Sequence, residues 1–168
     1  MKPKPFSSPF RWKLHPAASG QLPRVEVAGF IDESANVAEI EAAITGPVCF
    51  VLEEVERINS LGANKWFRLF QSIADRGPHR CVRCSPAVVR LLNMLPILPR
   101  LAAVDSVIGT FVCPQCERES KVEIATDCTS VQVPEPCCPD CRAAMEFDEL
   151  PQRYFRFAQQ RKSRGNGA

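Results

Sequence analysis

The first hundred residues combine apolar patterns of two different periods. Residues 25–28, Val-Glu-Val-Ala, follow the period of two and predict a short strand that ends at Gly29. Residues 48–52 are apolar without interruption, a pattern typical of a central strand that is covered on both faces. Three further strands are predicted, at the sheet edge in residues 10–14, and in residues 79–84 and 107–112.

Helical periodicity separates these strands. Residues 36–44 place apolar side chains three and four positions apart, and residues 63–75 carry a wide apolar face that includes three aromatic rings. A third helix is predicted through residues 86–94, because Ser85 suits the N-cap and Pro86 suits the first helical position. Strands that alternate with helices predict an α/β fold, with helices packed on a mixed sheet.

Composition limits the size and setting of the protein. A chain of 168 residues has room for one ordinary domain and a small second one, and nine cysteines without a secretory leader indicate a reducing compartment. No window approaches 18 apolar residues, so we expect a cytoplasmic protein without a membrane segment. The net charge of +2 implies no general attraction for nucleic acid.

Two cysteine motifs, Cys113-Pro-Gln-Cys116 and Cys138-Pro-Asp-Cys141, indicate a metal site. Proline after the first cysteine favours a tight turn, called a knuckle here, that directs two sulfurs to one point. Residues 118–126 between the motifs predict a strand, as in a zinc ribbon, although the spacing is slightly longer than usual. Four thiolates leave no position for water, so the motifs predict one structural Zn²⁺.

Other interpretations of the cysteines stay open at this point. The motifs are also compatible with a redox dithiol pair or with free structural thiols, and Cys137 could replace Cys138 as a ligand. Cys81 and Cys84 have ligand spacing too, but a strand there would send them to opposite faces, which argues against a second site. Cys128 has no partner at ligand spacing and is expected to be unligated.

Three stretches carry a resemblance to a known family. Residues 29–32, Gly-Phe-Ile-Asp, precede the helix at 36–43, and residues 55–62 read Val-Glu-Arg-Ile-Asn-Ser-Leu-Gly. With the later strand and the helix at 85–94, they resemble the sulfate-transporter and anti-sigma-factor-antagonist (STAS) family across residues 10–112. The zinc ribbon lies outside the core of that family and looks like an accessory domain.

The resemblance implies a compact β/α domain that binds partner proteins without doing chemistry. Ser60 would be the phosphoacceptor with Asp32 near it, and the partner would be an anti-sigma kinase or another STAS-containing protein. Asn59 stands where phosphorylated members have Asp, and Val51 stands where an acidic strand-end residue is expected. Both differences favour protein binding over phosphorylation.

The residues around Ser60 also support an interpretation that does not depend on the resemblance. Ser60 precedes an apolar helix, so its hydroxyl is expected to cap that helix, and a phosphate there would be favoured by the free amides. The alternative is that Ser60 is only a cap. The predicted partner-binding residues are Asp32, Asn59, Ser60, Leu61, Gly62 and Ala63.

The main alternative function is an adaptor that binds nucleic acid or assembles complexes through the ribbon. Arg118, Lys121 and Arg142 could contact phosphate, but nearby acidic residues offset them, so nucleic acid is not the expected partner. No Ser-His-Asp order, phosphate loop or paired-carboxylate motif occurs, so neither catalysis nor a small-molecule substrate is expected.

The chain is thus predicted to contain four parts. They are a disordered N-terminus at 1–9, a STAS-like domain at 10–112, a zinc ribbon at 113–157 and a disordered basic tail at 158–168. Tyr154, Phe155 and Phe157 are expected to close the small core of the ribbon or to pack on the first domain.

Overall fold

A computed structural model describes residues 8–126 and 131–159. Its larger sheet has five strands in the order β1-β2-β3-β4-β5. These strands are β1 (Arg11–His15), β2 (Arg24–Ile31), β3 (Cys49–Ile58), β4 (His79–Val82) and β5 (Ala102–Val104). The edge strand β1 runs antiparallel to β2 and the other pairs are parallel, which confirms the predicted mixed sheet.

Helices connect the strands of this sheet. They are α1 (Val37–Ala43), α2 (Ser60–Ile73), α3 (Pro86–Met94) and α4 (Leu98–Leu101), and a short 3₁₀ turn, Ala74–Arg76, follows α2. The predicted third helix is confirmed at both ends, and Ser85 caps it by accepting a hydrogen bond from the Val88 N–H at 3.4 Å. None of the helices in the described part of the chain has the length and apolar character needed to cross a membrane.

Alternate residues of β3 build the centre of the core. Phe50 and Leu52 are buried, and the Phe50 ring lies 5.9 Å from Trp66 and 4.9 Å from Phe70, both on α2. Val51 on the opposite face is only half-buried. The prediction of a strand covered on both faces is therefore wrong for the second face, although β3 does lie at the centre of the sheet.

The strand β2 is longer than its apolar pattern predicts. It continues through Gly29 to Ile31, with register shifts on either side of Gly29. Gly29 has a φ of +83°, and a Cβ there would overlap the carbonyl oxygen of Pro9. Glycine thus lets the N-terminal segment lie against β2, where Ser8 accepts a hydrogen bond from the Phe30 N–H at 3.0 Å.

The second sheet begins directly after β5. It has the order β7-β6-β8, with β6 (Ser106–Val112), β7 (Glu119–Ala125) and β8 (Glu146–Phe147) all antiparallel. We call these strands and the two knuckles the ribbon. The strand predicted at 107–112 exists, but it pairs within the ribbon, whereas the unpredicted β5 completes the first sheet.

Arg83 joins the two sheets. Its φ of +51° turns the chain after β4, and its N–H donates to Ser106 Oγ at 2.8 Å. Its guanidinium is paired with Glu53 of β3 and lies 2.6 Å from a carboxylate oxygen of Glu123 on β7. The Ser106 hydroxyl donates to the other oxygen of Glu123 at 2.6 Å, so one network fixes the start of β6.

The turn at Arg83 also changes the position of Cys84. Cys81 and Cys84 are both buried in the core and line the same small internal cavity. The prediction that they face opposite sides is wrong, because the strand ends at Val82 before the second cysteine. Within the described residues, this pair does not belong to a cluster of three or more metal-binding side chains.

The C-terminal turns pack the ribbon against α3. They are α5 (Pro151–Tyr154) and α6 (Arg156–Gln159), so helix continues into the start of the predicted tail. The amide of Asn93 on α3 donates to the Tyr154 carbonyl at 3.0 Å and accepts from the Phe157 N–H at 2.8 Å. The Tyr154 hydroxyl donates to the Ile108 carbonyl at 2.6 Å. The aromatic residues therefore serve both predicted roles.

Candidate metal centre

The two knuckles have the same backbone hydrogen bonds. In the first, the Cys113 N–H donates to the Arg118 carbonyl, and the Glu117 N–H donates to the Cys113 carbonyl, both at 2.9 Å. In the second, the Cys138 N–H donates to the Ala143 carbonyl at 2.7 Å. The Arg142 N–H donates to the Cys138 carbonyl at 2.9 Å. The repeated motif in the sequence thus folds into a repeated turn.

The residue after each knuckle has a left-handed backbone. Glu117 has a φ of +57° and Arg142 a φ of +61°. This conformation costs a residue with a side chain about 1–2 kcal/mol. Both turns reverse the chain at this point, so the surrounding contacts must offset that cost.

The four predicted ligands converge. The sulfurs of Cys113, Cys116, Cys138 and Cys141 all lie within 4.8 Å of one another. The Cys113 and Cys141 sulfurs are 3.4 Å apart, and those of Cys116 and Cys138 are 3.5 Å apart. Cys113 and Cys138 are buried, whereas the other two are exposed. The cluster could hold one metal ion at the surface of the ribbon.

Cys137 does not join this cluster. It is exposed and forms an isolated bridge with Ala144, so its side chain is not among the converging sulfurs. The alternative that Cys137 replaces Cys138 is therefore wrong for this geometry. Cys128, which was expected to be unligated, lies outside the described residues.

The thiols of the cluster differ in acidity. Burial raises the pKa of Cys113, but amides of its own knuckle and the neighbouring thiols lower it to about 6 overall. The Arg118 amide lowers the pKa of Cys116, but hydrogen bonds with neighbouring thiols and burial raise it to about 12. The Ala143 amide lowers the pKa of Cys141, but the contact with Cys113 and burial raise it overall. One thiol thus ionises readily while two hold their protons.

An ion pair spans the two knuckles. One guanidinium nitrogen of Arg118 lies 2.8 Å and 2.7 Å from the two carboxylate oxygens of Asp140. Both side chains are largely exposed, so solvent screens the pair and it contributes little to stability. It also leaves Arg118 paired with a carboxylate, which weakens the case for a phosphate contact there.

The second predicted site lies at the start of α2. The helix begins at Ser60, three residues before the predicted start, and Asn59 is its N-cap. The Asn59 side-chain oxygen accepts a hydrogen bond from the Gly62 N–H at 2.8 Å. The prediction that the Ser60 hydroxyl caps the helix is wrong, because Ser60 occupies the first helical position and Asn59 makes the bond instead.

The loop after β2 meets this helix end. The Asn59 amide donates to the Glu33 carboxylate at 2.9 Å, which lowers the pKa of Glu33. Asp32 accepts two hydrogen bonds from Ser34, from its hydroxyl at 2.6 Å and its N–H at 2.8 Å, and these lower the pKa of Asp32. Both carboxylates therefore stay charged beside the start of α2. The ammonium of Lys65 donates to the carbonyl of Glu33.

The six predicted partner-binding residues lie in one region but differ in exposure. Leu61 is 56 % exposed and Ser60 is exposed, whereas Gly62 is buried. A Cβ at Gly62 would overlap the carbonyl of Ile31, so glycine allows α2 to contact the end of β2. Ala63 is half-buried.

Sequence reasoning missed Glu33 and misplaced Val51. Glu33 directly follows Asp32, and its carboxylate accepts a hydrogen bond from Asn59. Because β2 and β3 are parallel, their carboxyl ends meet at one edge of the sheet, and this rule could have predicted that the residues after β2 lie near Asn59. The resemblance places Val51 at the end of a strand, but β3 continues to Ile58. An acidic residue at Val51 would therefore lie along the strand and not beside Ser60.

Comparison with known proteins assigns no family to the chain. No family model matches it, and no curated protein or solved structure matches it either. The interpretation of both sites therefore depends on their own geometry.

Proposed function

We propose that the protein is a non-enzymatic regulatory module that binds a partner protein through the start of α2. The observation that carries this proposal is the exposure of Leu61, at 56 %, among charged and polar side chains. We call Asp32, Glu33, Asn59, Ser60 and Leu61 the docking surface. An apolar side chain surrounded by polar groups is the usual arrangement of an anchor in a protein interface.

The docking surface is held rigidly before any partner arrives. Asn59 is bonded to Gly62 on one side and to Glu33 on the other. Lys65 bonds the carbonyls of Glu33 and Ala35, which fixes the loop after β2 onto α2. Rigid surfaces lose less conformational entropy on binding, so this arrangement favours recognition.

The proposed partner is an anti-sigma kinase or another STAS-containing protein, as the resemblance to that family implies. Phosphorylation of Ser60 is the proposed control. The first helical position favours a phosphate through the free amides of the helix start. The phosphate would add about −1.5 to −2 charges beside Glu33 and Asp32, and this repulsion supports release of a bound partner.

The metal in the proposal is a single structural Zn²⁺. Zinc–thiolate bonds of about 2.3 Å in a tetrahedron place the sulfurs about 3.8 Å apart. The sulfur contacts of 3.4, 3.5 and 3.8 Å fit that arrangement. Cys113, Cys116, Cys138 and Cys141 would hold the ion and thereby join the two knuckles.

Site-specific photo-crosslinking tests the docking surface. A benzophenone amino acid replaces Leu61 in one variant and Gln71, also exposed on α2, in a matched control. We expect Leu61 to give one crosslinked protein in the native host, and the crosslink to disappear in the Ser60→Asp background. Equal crosslinking from both positions, or none from Leu61, would contradict the proposal.

A further inference from the structure

We propose that the four-cysteine cluster is also a site of oxidation, at which a hydroperoxide forms two disulfides that each join one knuckle to the other. The pairs are Cys113 with Cys141 and Cys116 with Cys138. Bonds inside a Cys-Pro-x-Cys motif do not form. This inference does not depend on the docking surface.

The pairing follows from the sulfur contacts. The sulfurs of Cys113 and Cys141 are 3.4 Å apart and those of Cys116 and Cys138 are 3.5 Å apart. Both contacts cross from one knuckle to the other, and together they use each sulfur once. The contact between Cys116 and Cys141 also crosses between the knuckles, but at 3.8 Å it is longer than either. A disulfide requires about 2.0 Å between sulfurs, so each pair must close by roughly 1.4 Å.

The two sulfurs of each pair differ in their exposure to solvent. Each contact joins one exposed cysteine, Cys141 or Cys116, to one buried cysteine, Cys113 or Cys138. A hydroperoxide can reach the exposed sulfur from solvent, while the buried sulfur is shielded but already in contact with it. Each pair therefore contains one sulfur that solvent can reach and a second sulfur already in contact with it, so that oxidation of either one is completed by the other.

Oxidation of the four cysteines to two disulfides consumes two equivalents of hydrogen peroxide. In each pair one thiol loses its proton to solvent and the resulting thiolate attacks one peroxide oxygen, so that the O–O bond breaks and a sulfenic acid forms with release of hydroxide. The second sulfur of the pair, also as its thiolate, then attacks that sulfur, so that an S–S bond forms, the S–O bond breaks and a second hydroxide leaves. Over both pairs, four thiolates lose four electrons, and four protons from solvent convert the hydroxides to four waters. The disulfides keep no thiolate charge with which to hold a metal ion.

The cross-knuckle pairing also predicts that the oxidised protein stays folded. Each disulfide would join residues far apart in sequence, and closing a long loop restricts the unfolded chain more than closing a short one. The bonds would also replace the link that a metal ion makes between the knuckles. The cluster thus has two chemical forms, metal-bound and disulfide-bonded, with the same chain geometry.

Disulfide mapping of the full chain tests the pairing. Zinc-loaded and metal-free protein are treated with two equivalents of hydrogen peroxide, blocked with N-ethylmaleimide and digested with trypsin. Cleavage after Arg100, Arg118, Lys121 and Arg142 places Cys113 and Cys116 in peptide 101–118, and their partners in peptide 122–142. We expect these two peptides to be joined by two disulfides, with one zinc released per chain in a metallochromic dye assay.

Three variants sharpen the test. Cys116→Ser should leave one link, between Cys113 and Cys141, and Cys113→Ser should leave one link, between Cys116 and Cys138. Cys137→Ser is the matched control, since it keeps all four clustered thiols and should give the same double link as the natural chain. A disulfide inside peptide 101–118, a link to Cys137, sulfinic acid without a link, or thiols that stay reduced would each overturn the proposal.

Discussion

The interactions that stabilise the α/β unit internally differ from those that stabilise the ribbon. In the α/β unit, Phe50, Trp66 and Phe70 pack ring against ring in a continuous apolar core. In the ribbon beyond β6, Ile124 is the one buried residue of β7, and neither residue of β8 is buried. These two strands bury less apolar surface than the α/β unit does, and the four converging sulfurs offer a further link between the two knuckles. The two regions should therefore fail under different treatments.

Loss of a cysteine ligand is expected to have the largest effect, and only on the ribbon. Cys138→Ser removes a buried sulfur of the cluster, so the variant should purify without the proposed zinc ion. Elemental analysis together with native mass spectrometry measures this loss. Cys137→Ser is the control and should keep one zinc per chain, because Cys137 lies outside the cluster. Equal zinc content in the two variants would refute the ligand assignment.

Removal of a core ring should break the α/β unit instead. Phe50→Ala is expected to destabilise folding by about 3–5 kcal/mol, because the fully buried ring leaves a cavity between Trp66 and Phe70. Urea unfolding measures the change in free energy. Val51→Ala on the half-buried face should cost distinctly less. If the two variants lose the same stability, the core does not lie on the Phe50 side of β3.

Acid should weaken metal binding by the ribbon without a comparable effect on the apolar core. The pKa values of Cys116 and Cys141 are raised, so both thiols are protonated near neutral pH and must release protons when a metal binds. Affinity should therefore rise with pH, by about tenfold per pH unit for each displaced proton. Competition with a zinc-binding dye between pH 6 and 8 measures this slope. A flat profile would contradict the acidity of these thiols.

The smallest expected effect concerns the cap of α2. Asn59→Ala should destabilise folding by about 1 kcal/mol, because the Gly62 N–H loses its partner. Ser60→Ala should change stability by less than about 0.5 kcal/mol, since Ser60 does not make that bond. Thermal unfolding of the two variants measures the difference. A larger loss for Ser60→Ala would restore Ser60 as the cap.

Local patterns in the sequence were enough to predict the α/β class, the third helix with its Ser85 cap, and the convergence of the four knuckle cysteines. The helix and its cap depend on residues close together along the chain. The two knuckles are far apart in sequence, but each offers only two thiolates and a closed zinc site needs four, so the repeated motif itself predicts that they meet.

The errors arose where a contact between distant residues decides the outcome. The pairing of residues 107–112 with β7 instead of the first sheet depends on Arg83, which bonds both Ser106 and Glu123. The cap of α2 depends on Asn59, whose amide also reaches Glu33 on another loop. Apolar periodicity carries no information about such polar contacts.

Hydrogen exchange of the full chain, before and after chelation of the proposed metal ion, measures whether the ribbon depends on the metal while the α/β unit does not. We predict that chelation raises exchange in the knuckles and in β7, peptides 113–125 and 136–147, because their link is lost. Exchange in β2 and β3, residues 24–58, should change much less, because the Phe50 ring packs on Trp66 and Phe70 of α2. Equal loss of protection in both regions, or no change in the ribbon, would contradict the account.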